Sequence, residues 1–375
     1  MIRNIYQQIT SFSSLLQAEH DVTVGKGEKR STLLFERDLE GNLLQISADL
    51  RKCIIPKVKY DSFYVYIPKT RKVIYIDLPN KIIQRSLYNE INPRLNKGFI
   101  EDTYACIPGK GQLAAMNRVA SWMTNTRINA PGEWYYFKFD VAKFFYRIDH
   151  GILMDLLKSK IADPRAIDLL EYYICNTGAS FGLPLTDNQE EATEPDALSA
   201  LGIPIGGGLS HTLGNLYLDP LDQFIKRDLQ VRRYGRYMDD GLMMDTNKWR
   251  LIENAKRSED FLHERLRLEW NRKTALRPTR CGVEFVGCVI YDDHIRLRKS
   301  TTLRMKRRLA EVEQEYNAGL ITLEKAKQTT ASYRAMLKHV DMDNYEDKLW
   351  RDFVLTRGDI QEAKQRGKEL CTIWN

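Results

Sequence analysis

An α+β fold, with an antiparallel sheet packed on helices and a helical C-terminal region, is predicted by three stretches of this 375-residue chain. Tyr234-Gly-Arg-Tyr-Met-Asp-Asp-Gly-Leu-Met-Met244 reads as a β-hairpin whose two apolar arms flank an acidic tip. Trp134-Tyr-Tyr-Phe-Lys-Phe-Asp140 reads as a buried strand, because five aromatics lead into a single acid. From Ser300 onward the pattern turns helical, with Leu309, Val312 and Tyr316 on one face.

Composition sets the bounds. With 43% hydrophobic residues the chain can bury a large core, and its length suits two or three domains or subdomains. It has no run of about 18 uncharged apolar residues, so no membrane-spanning helix is expected. The start, Met1-Ile-Arg-Asn-Ile-Tyr6, lacks the basic and then apolar pattern of a secretory signal. The six cysteines, at 53, 106, 175, 281, 288 and 371, form no CxxC pair. That argues for a reducing cytoplasm and against structural zinc or a disulfide framework. The net charge of +7 is modest but uneven: His294-Ile-Arg-Leu-Arg-Lys and Arg304-Met-Lys-Arg-Arg carry almost no acids. A local basic face of this kind suits a polyanion.

In chain order, residues 1–50 read as a helical N-terminal extension broken by the basic loop Gly25-Lys-Gly-Glu-Lys-Arg30. Two β-rich runs within 61–76 flank Pro68-Lys-Thr-Arg71, a hairpin with a cationic tip. Lys69, Arg71 and Lys72 there suit a triphosphate, although exposed hairpin charges more often serve solubility. Ile82, Ile83, Leu87 and Ile91 mark an amphipathic helix over 80–97. Thr103-Tyr-Ala-Cys-Ile-Pro-Gly-Lys-Gly111 is a turn into a helix from Gln112 to Asn125, and its glycines with Lys110 are a weak phosphate signal. Asp149 is expected to cap a helix over 151–160. Residues 176–200 form an acidic surface insertion. Gly202-Ile-Pro-Ile-Gly-Gly-Gly-Leu-Ser210 then opens a long apolar helix that ends near Arg227, with His211 one turn in. An amphipathic helix over 248–268 and a strand over 266–274 follow, the latter with Lys273 near its end. A second hairpin runs from Gly282 to Tyr291 with 295–297, before helices over 300–316, 322–340 and 345–354.

An acid at the end of an apolar strand is costly unless paired, exposed or metal-bound. The adjacent Asp239 and Asp240 repel each other unless a cation neutralises them. A solvated acidic turn is the bland explanation. Asp140, Asp239 and Asp240 on adjacent strands would instead hold two Mg²⁺ ions about 3.5–4 Å apart. Such a pair supports in-line attack of a 3′-hydroxyl with pyrophosphate as the leaving group. A lysine or arginine fork would bind the triphosphate, and a further lysine would protonate the leaving group.

These motifs resemble the reverse transcriptases. Phe139-Asp-Val-Ala-Lys-Phe-Phe145 is similar to the family's first acidic motif and Tyr237-Met-Asp-Asp240 to its second, and the likeness covers about residues 50–345. The resemblance implies a right-hand polymerase: a helical extension over 1–50, fingers over 51–130, a palm over 131–295 with the insertion near 176–200, and a helical thumb and tail over 296–375. It implies Asp140, Asp239 and Asp240, with the Val141 main chain, as the site of two Mg²⁺ ions, Mn²⁺ being the alternative metal. Lys273 falls in the fourth palm motif. For the dNTP it implies Lys69, Arg71, Phe144, Phe145, Ile205 and Gly206, with Phe145 as the steric gate against a ribose 2′-hydroxyl. For template and primer it implies Tyr237, Met238, Ser210, His211, Gly287, Arg296, Arg298, Lys299 and Arg304. Gly282 to Gly287 look like the primer grip, and the helices after Ser300 like a thumb that follows an RNA–DNA hybrid by shape and backbone charge.

Within the family, Gly202 to Ser210 is similar to the reverse transcriptases of bacterial diversity-generating retroelements, as are Thr103-Tyr-Ala-Cys106 and Arg296 to Lys299. Ile205 stands where other members place glutamine beside the dNTP, which implies looser geometry checking and misincorporation. His211 stands where the retroelement group has glutamine, and with the acidic insertion it brings forward neighbouring bacterial enzymes that serve in antiphage defence. Lacking an RNase H, integrase or endonuclease domain past the thumb, such a chain is expected to use a dedicated non-coding RNA as template. An accessory protein, a second reverse transcriptase or a second copy of the chain are the expected protein partners. An RNA-dependent RNA polymerase shares the palm acids but favours a small or polar residue at Phe145. A non-catalytic RNA-binding scaffold would tolerate loss of the acids.

Overall fold

The computed structural model describes residues 1–65, 71–129, 132–175, 181–182, 200–204, 207–272, 274–351 and 353–356. Two compact units form, Met1–Gly111 with Phe137–Leu276, and Gln112–Tyr136 with Arg277–Asn375.

The first unit opens with four short helices, α1 (Tyr6–Ile9), α2 (Phe12–Thr23), α3 (Arg30–Glu36) and α4 (Leu39–Arg51). The Ser11 hydroxyl caps α2 by accepting from the Ser14 N–H, and the Asp38 carboxylate caps α4 by accepting from the Gly41 N–H. The hairpin of β1 (Tyr60–Val65) and β2 (Arg71–Ile76) is antiparallel, pairing Tyr60 with Ile76 and Val65 with Arg71. Helix α5 (Leu78–Leu95) buries Ile82, Ile83, Leu87 and Ile91, at the helical spacing read from the sequence. It packs on α2, and the Ser86 hydroxyl donates to the Ile9 carbonyl at 2.7 Å, so even its polar core positions are satisfied.

Helix α6 (Gln112–Asn129) runs four residues past the expected Asn125. Its apolar face of Ala115, Met116, Val119 and Met123 is buried, and it belongs to the second unit. Strand β3 (Tyr135–Asp140) then leads the chain into the first unit. Helices α7 (Phe144–Arg147), α8 (His150–Lys160) and α9 (Pro164–Cys175) follow. Asp149 caps α8 as expected, its carboxylate accepting from the Ile152 N–H at 3.1 Å. Most of the acidic insertion lies outside the described residues. The central helix α10 (Gly208–Gln223) is buried along most of its length and continues into a wide turn over Phe224–Asp228.

Strands β4 (Arg233–Tyr237) and β5 (Asp240–Asp245) form the anticipated hairpin, with Tyr237 opposite Asp240. Helix α11 (Lys248–Leu266) follows. Among the described residues of 266–274 the expected strand does not form. Leu266 is the last residue of α11, and Arg267 caps the helix in the left-handed region at φ 51°. The chain beyond it meets β3 through one isolated bridge between Val141 and Trp270, and strand pairing resumes only in β6 (Ala275–Pro278). The alternation Leu266-Arg-Leu-Glu-Trp mimics a strand because the end of a helix face and the start of an extended run happen to share apolar spacing. The sheet has the order β4-β5-β3-β6.

In the second unit, β7 (Val283–Phe285), β8 (Cys288–Ile290) and β9 (Ile295–Leu297) form a three-stranded antiparallel sheet. Val286 and Gly287 both take positive φ, 43° and 83°, as a tight hairpin turn demands. Helix α6 packs on β8. Helices α12 (Lys299–Asn317), α13 (Leu323–Leu337) and α14 (Asp343–Arg351) complete the unit, and α12 turns Met305, Leu309 and Val312 inward while Arg304, Lys306 and Arg307 stay exposed. Among the described residues no helix is long and apolar enough to cross a membrane.

Candidate active site

The site is assembled where β3 ends beside the β4–β5 turn. The Val141 N–H donates to the Asp239 carbonyl at 3.2 Å, which sets the end of β3 against the acidic turn. On the other side the Asn271 N–H donates to the Asp140 carbonyl at 2.6 Å and the Ala142 N–H to the Glu269 carbonyl at 2.9 Å. The end of β3 is thus held on both flanks, which puts Asp140 and Asp239 on neighbouring chain segments. The segment over 267–272, where a strand was expected, serves as the second flank.

Beneath the acids lies an aromatic floor. Phe139 stands 4.0 Å from Trp270 and 6.4 Å from Tyr234, measured between ring centroids. Gly241 follows the acidic pair because nothing larger fits: a Cβ there would lie 2.0 Å from Phe139 Cζ. The glycine lets β5 lie flat on the ring.

The three carboxylates differ in their company. Asp140 Oδ2 accepts from the Asn271 side-chain amide at 3.1 Å, an orienting contact of the kind that supports metal ligands. Asp240 Oδ2 is paired with Lys138 Nζ at 3.0 Å. The sequence singled out neither Lys138 nor Asn271. Lys138 had a legible signal, since it stands two residues before Asp140 and therefore on the same face of β3. Among the described residues no three metal-ligating side chains come together in one group. The donor chemistry still fits a hard divalent cation: two half-exposed aspartates and a neighbouring main-chain carbonyl at Val141 offer oxygen alone, which suits Mg²⁺ or Mn²⁺ over a soft metal.

Phe145 is half-exposed beside these acids in the sequence, while Phe144 is buried. The two rings lie 5.1 Å apart, and the His211 ring stands perpendicular to Phe145 with centroids 5.8 Å apart. Helix α10 makes room for both rings at Gly214, where a Cβ would lie 3.0 Å from Phe144 and 3.3 Å from Phe145. The Ile203 N–H donates to the Phe145 carbonyl at 2.9 Å, so the glycine-rich stretch rejoins the fold at this aromatic pair. Ser210 is buried in the first turn of α10. Tyr237 is half-buried and Met238 buried, next to the acids. Lys69, Ile205, Gly206 and Lys273, and the side chain of Arg71, lie outside the described residues.

Burial lowers the pKa of His211 below its ordinary value of 6.5, and a backbone contact with Gly207 only partly opposes this. A histidine whose folded pKa lies below its unfolded one binds fewer protons when folded, so stability rises with pH across that window. Acidification below about pH 6.5 is therefore expected to lower the thermal midpoint. His211→Gln should flatten that pH dependence, and an equally steep profile in the variant would remove His211 as its source.

The remaining nucleic-acid candidates lie in the second unit. The Gly287 carbonyl accepts from the Arg298 N–H at 3.0 Å and from the Thr301 hydroxyl at 3.2 Å, which ties the β7–β8 turn to the start of α12. Arg298 is ion-paired with Glu284 at 3.1 Å. Arg296, Lys299 and Arg304 are exposed. Gly287 and Arg304 line one cleft of about 300 Å³ with Gln112, Thr301 and His339.

The family model for reverse transcriptase (RNA-dependent DNA polymerase) matches residues 55–290. Protein YkfC of Escherichia coli is 25% identical over 226 residues, covering 59% of this chain and 52% of its own length. The COX1/OXI3 intron 2 protein of Saccharomyces cerevisiae is 24% identical over 194 residues, covering 52% of this chain and 20% of its own. The chain thus spans about half of the first curated relative and a fifth of the second. The solved structure of apo telomerase from Candida tropicalis, truncated from its C-terminal domain, matches 64% of this chain and 54% of its own at 13% identity and a TM-score of 0.45. With more than half of its length matched by the family model and both acidic motifs set side by side at the end of β3, the chain belongs to the reverse transcriptase family and has its right-hand polymerase fold.

Proposed function

We propose that this chain is an RNA-directed DNA polymerase that copies a dedicated non-coding RNA into cDNA. The observation that carries the reading is the contact between the Val141 N–H and the Asp239 carbonyl, which brings the two acidic motifs to one place. A pair of Mg²⁺ ions held by Asp140, Asp239 and the Val141 carbonyl would activate the primer 3′-hydroxyl and neutralise the pyrophosphate as it leaves. Lys138 holds Asp240 and limits the negative charge at the turn. Asn271 orients the Asp140 carboxylate. Phe145 faces the sugar of the incoming nucleotide and favours dNTPs, and Arg71 and Lys69 bind its triphosphate. The exposed Arg304, Lys306 and Arg307 of α12 suit the backbone of an RNA–DNA hybrid.

The biological role proposed is antiphage defence, with the template RNA and an accessory protein, a second reverse transcriptase or a second copy of this chain as partners. His211 in place of glutamine supports it. A second reading, error-prone copying in a diversity-generating retroelement, is favoured by Gly202-Ile-Pro-Ile-Gly-Gly-Gly-Leu-Ser210 and by Ile205 beside the dNTP.

Sequencing the nucleic acid that co-purifies with the protein, before and after addition of dNTPs, tests both. One recurrent RNA with complementary DNA of matching sequence is the expected result. The same RNA copied with frequent misincorporation selects the retroelement reading. Absence of any complementary DNA, with primed RNA added as well, would sink the polymerase reading.

A further inference from the structure

Arg236 lies on β4, two residues before the acidic turn begins, and is fully buried, as is Asp222 on α10. Its guanidinium grips that carboxylate in a fork: Nε donates to Oδ1 at 2.8 Å and to Oδ2 at 3.1 Å, and Nη2 donates to Oδ2 at 2.6 Å. Asp222 also accepts from the Tyr234 hydroxyl at 2.6 Å and the Thr103 hydroxyl at 3.3 Å. Burial by itself would lower the pKa of Arg236, but the Asp222 carboxylate reverses this and raises it, so the cation persists in the core.

The carboxylate fork leaves the Nη1 donors of the buried guanidinium to find acceptors elsewhere. Nη1 donates to Asn215 Oδ1 at 3.2 Å and to the Met238 carbonyl at 2.6 Å. Met238 holds φ at 56°, a left-handed conformation that a methionine side chain disfavours. Such a residue persists only where its surroundings over-determine it, and such positions gather at functional sites. The peptide between Met238 and Asp239 is thus held from inside the fold by Arg236. The next carbonyl, that of Asp239 itself, is held from the other side by the Val141 N–H at 3.2 Å. Each peptide plane flanking Asp239 is held by one of these contacts, which together set the direction in which its side chain leaves the turn.

We propose that Arg236 is a positioning residue of the active site: by bridging Asp222 and the Met238 carbonyl, it locks the left-handed turn that aims Asp239 at the metal. The proposal rests on the polymerase reading above. It separates the guanidinium's role toward Met238 from its role as a partner of Asp222. Lysine offers a compact point charge that can serve Asp222, but it lacks the planar fork that reaches two acceptors at once. Tyr234 belongs to the same buried network through Asp222, and its hydroxyl bond there has no part in the Met238 contact.

The test compares Arg236→Lys with Tyr234→Phe in a Mn²⁺ titration of the protein alone, followed by electron paramagnetic resonance, with Asp239→Asn as the reference. Both variants are expected to melt earlier than wild type. Only Arg236→Lys is expected to weaken Mn²⁺ binding, by about 10-fold, the usual cost of losing a group that orients a metal ligand. In primer extension its half-saturating Mg²⁺ concentration should rise by a similar factor, with kcat reduced and the KM for dNTP little changed. Wild-type Mn²⁺ affinity in Arg236→Lys, or the same loss in Tyr234→Phe, would overturn the proposal. Should Arg236→Lys fail to fold, Asp222→Glu keeps both charges while displacing the guanidinium, and unaltered Mn²⁺ affinity there overturns the proposal equally. If Asp239→Asn binds Mn²⁺ as wild type does, the metal site itself falls and this inference with it. Binding that depends on Asp239 but not on Arg236 refutes this inference alone.

Discussion

Asp239→Asn is expected to reduce DNA synthesis on a primed RNA by at least about 10³-fold, roughly 4 kcal/mol of transition-state stabilisation, while leaving the fold intact. The two halves of that expectation have separate causes. Asparagine keeps the shape and the half-exposed setting of the side chain, and the bond from the Val141 N–H to the residue 239 carbonyl involves main chain only. What it removes is one of two adjacent negative charges, so the thermal midpoint should hold or rise slightly. Asp240→Asn makes the contrast. Its carboxylate is paired with Lys138 at 3.0 Å, with both groups partly buried, so its loss should lower stability by about 1 kcal/mol and reduce synthesis less than Asp239→Asn does. Single-turnover extension rates set beside thermal melts separate the two. Equal losses of activity in both variants would mean that Asp240 leaves Lys138 to join the reaction. Synthesis that survives Asp239→Asn would refute the assignment of the site.

The acidic hairpin was legible because everything that makes it is local: two apolar arms, a short turn and a glycine after the acids. Asp149 as a helix cap and the inward face of α5 were legible for the same reason, since caps and periodicity are written in neighbouring residues. What the sequence could not show are contacts between distant positions. Asn271 reaches Asp140 across 131 residues, which no spacing rule predicts, and although the period of β3 puts Lys138 on the face of Asp140, its pairing with Asp240 on the neighbouring strand is not written in that spacing. The segment over 266–274 misled because its alternation fits a strand, whereas the left-handed cap at Arg267 releases it as a lone extended run. That run then supplies Asn271 and the flanking bonds to β3. The grouping of α6 with residues after 277 was hidden likewise, because amphipathic spacing shows that a helix buries a face but not which partner covers it.

Phe145→Ala is expected to lower discrimination of dNTP against rNTP by about 100-fold, roughly 2.7 kcal/mol, with dNTP incorporation itself reduced only a few-fold. The ring's position explains why the effect should be specific. Phe144 is buried against Tyr217 and α10, where removal would open a core cavity. Phe145 is half-exposed, so its truncation loses little core packing, and on the proposed reading it opens the space that a ribose 2′-hydroxyl would need. Phe144→Ala is therefore the control: it should cost about 3 kcal/mol or more of stability and leave the sugar preference largely unchanged. The backing of the proposed gate matters as well, since the His211 and Phe145 rings meet perpendicular with centroids 5.8 Å apart and the Phe145 carbonyl is pinned by the Ile203 N–H. His211→Ala should accordingly relax the sugar preference in the same direction but to a smaller degree, because it loosens the ring without removing it. Competitive incorporation of dNTP and rNTP opposite one template base measures all three variants on one scale. If Phe145→Ala keeps the wild-type preference while Phe144→Ala loses it, the gate is the buried ring against α10 and not the half-exposed one.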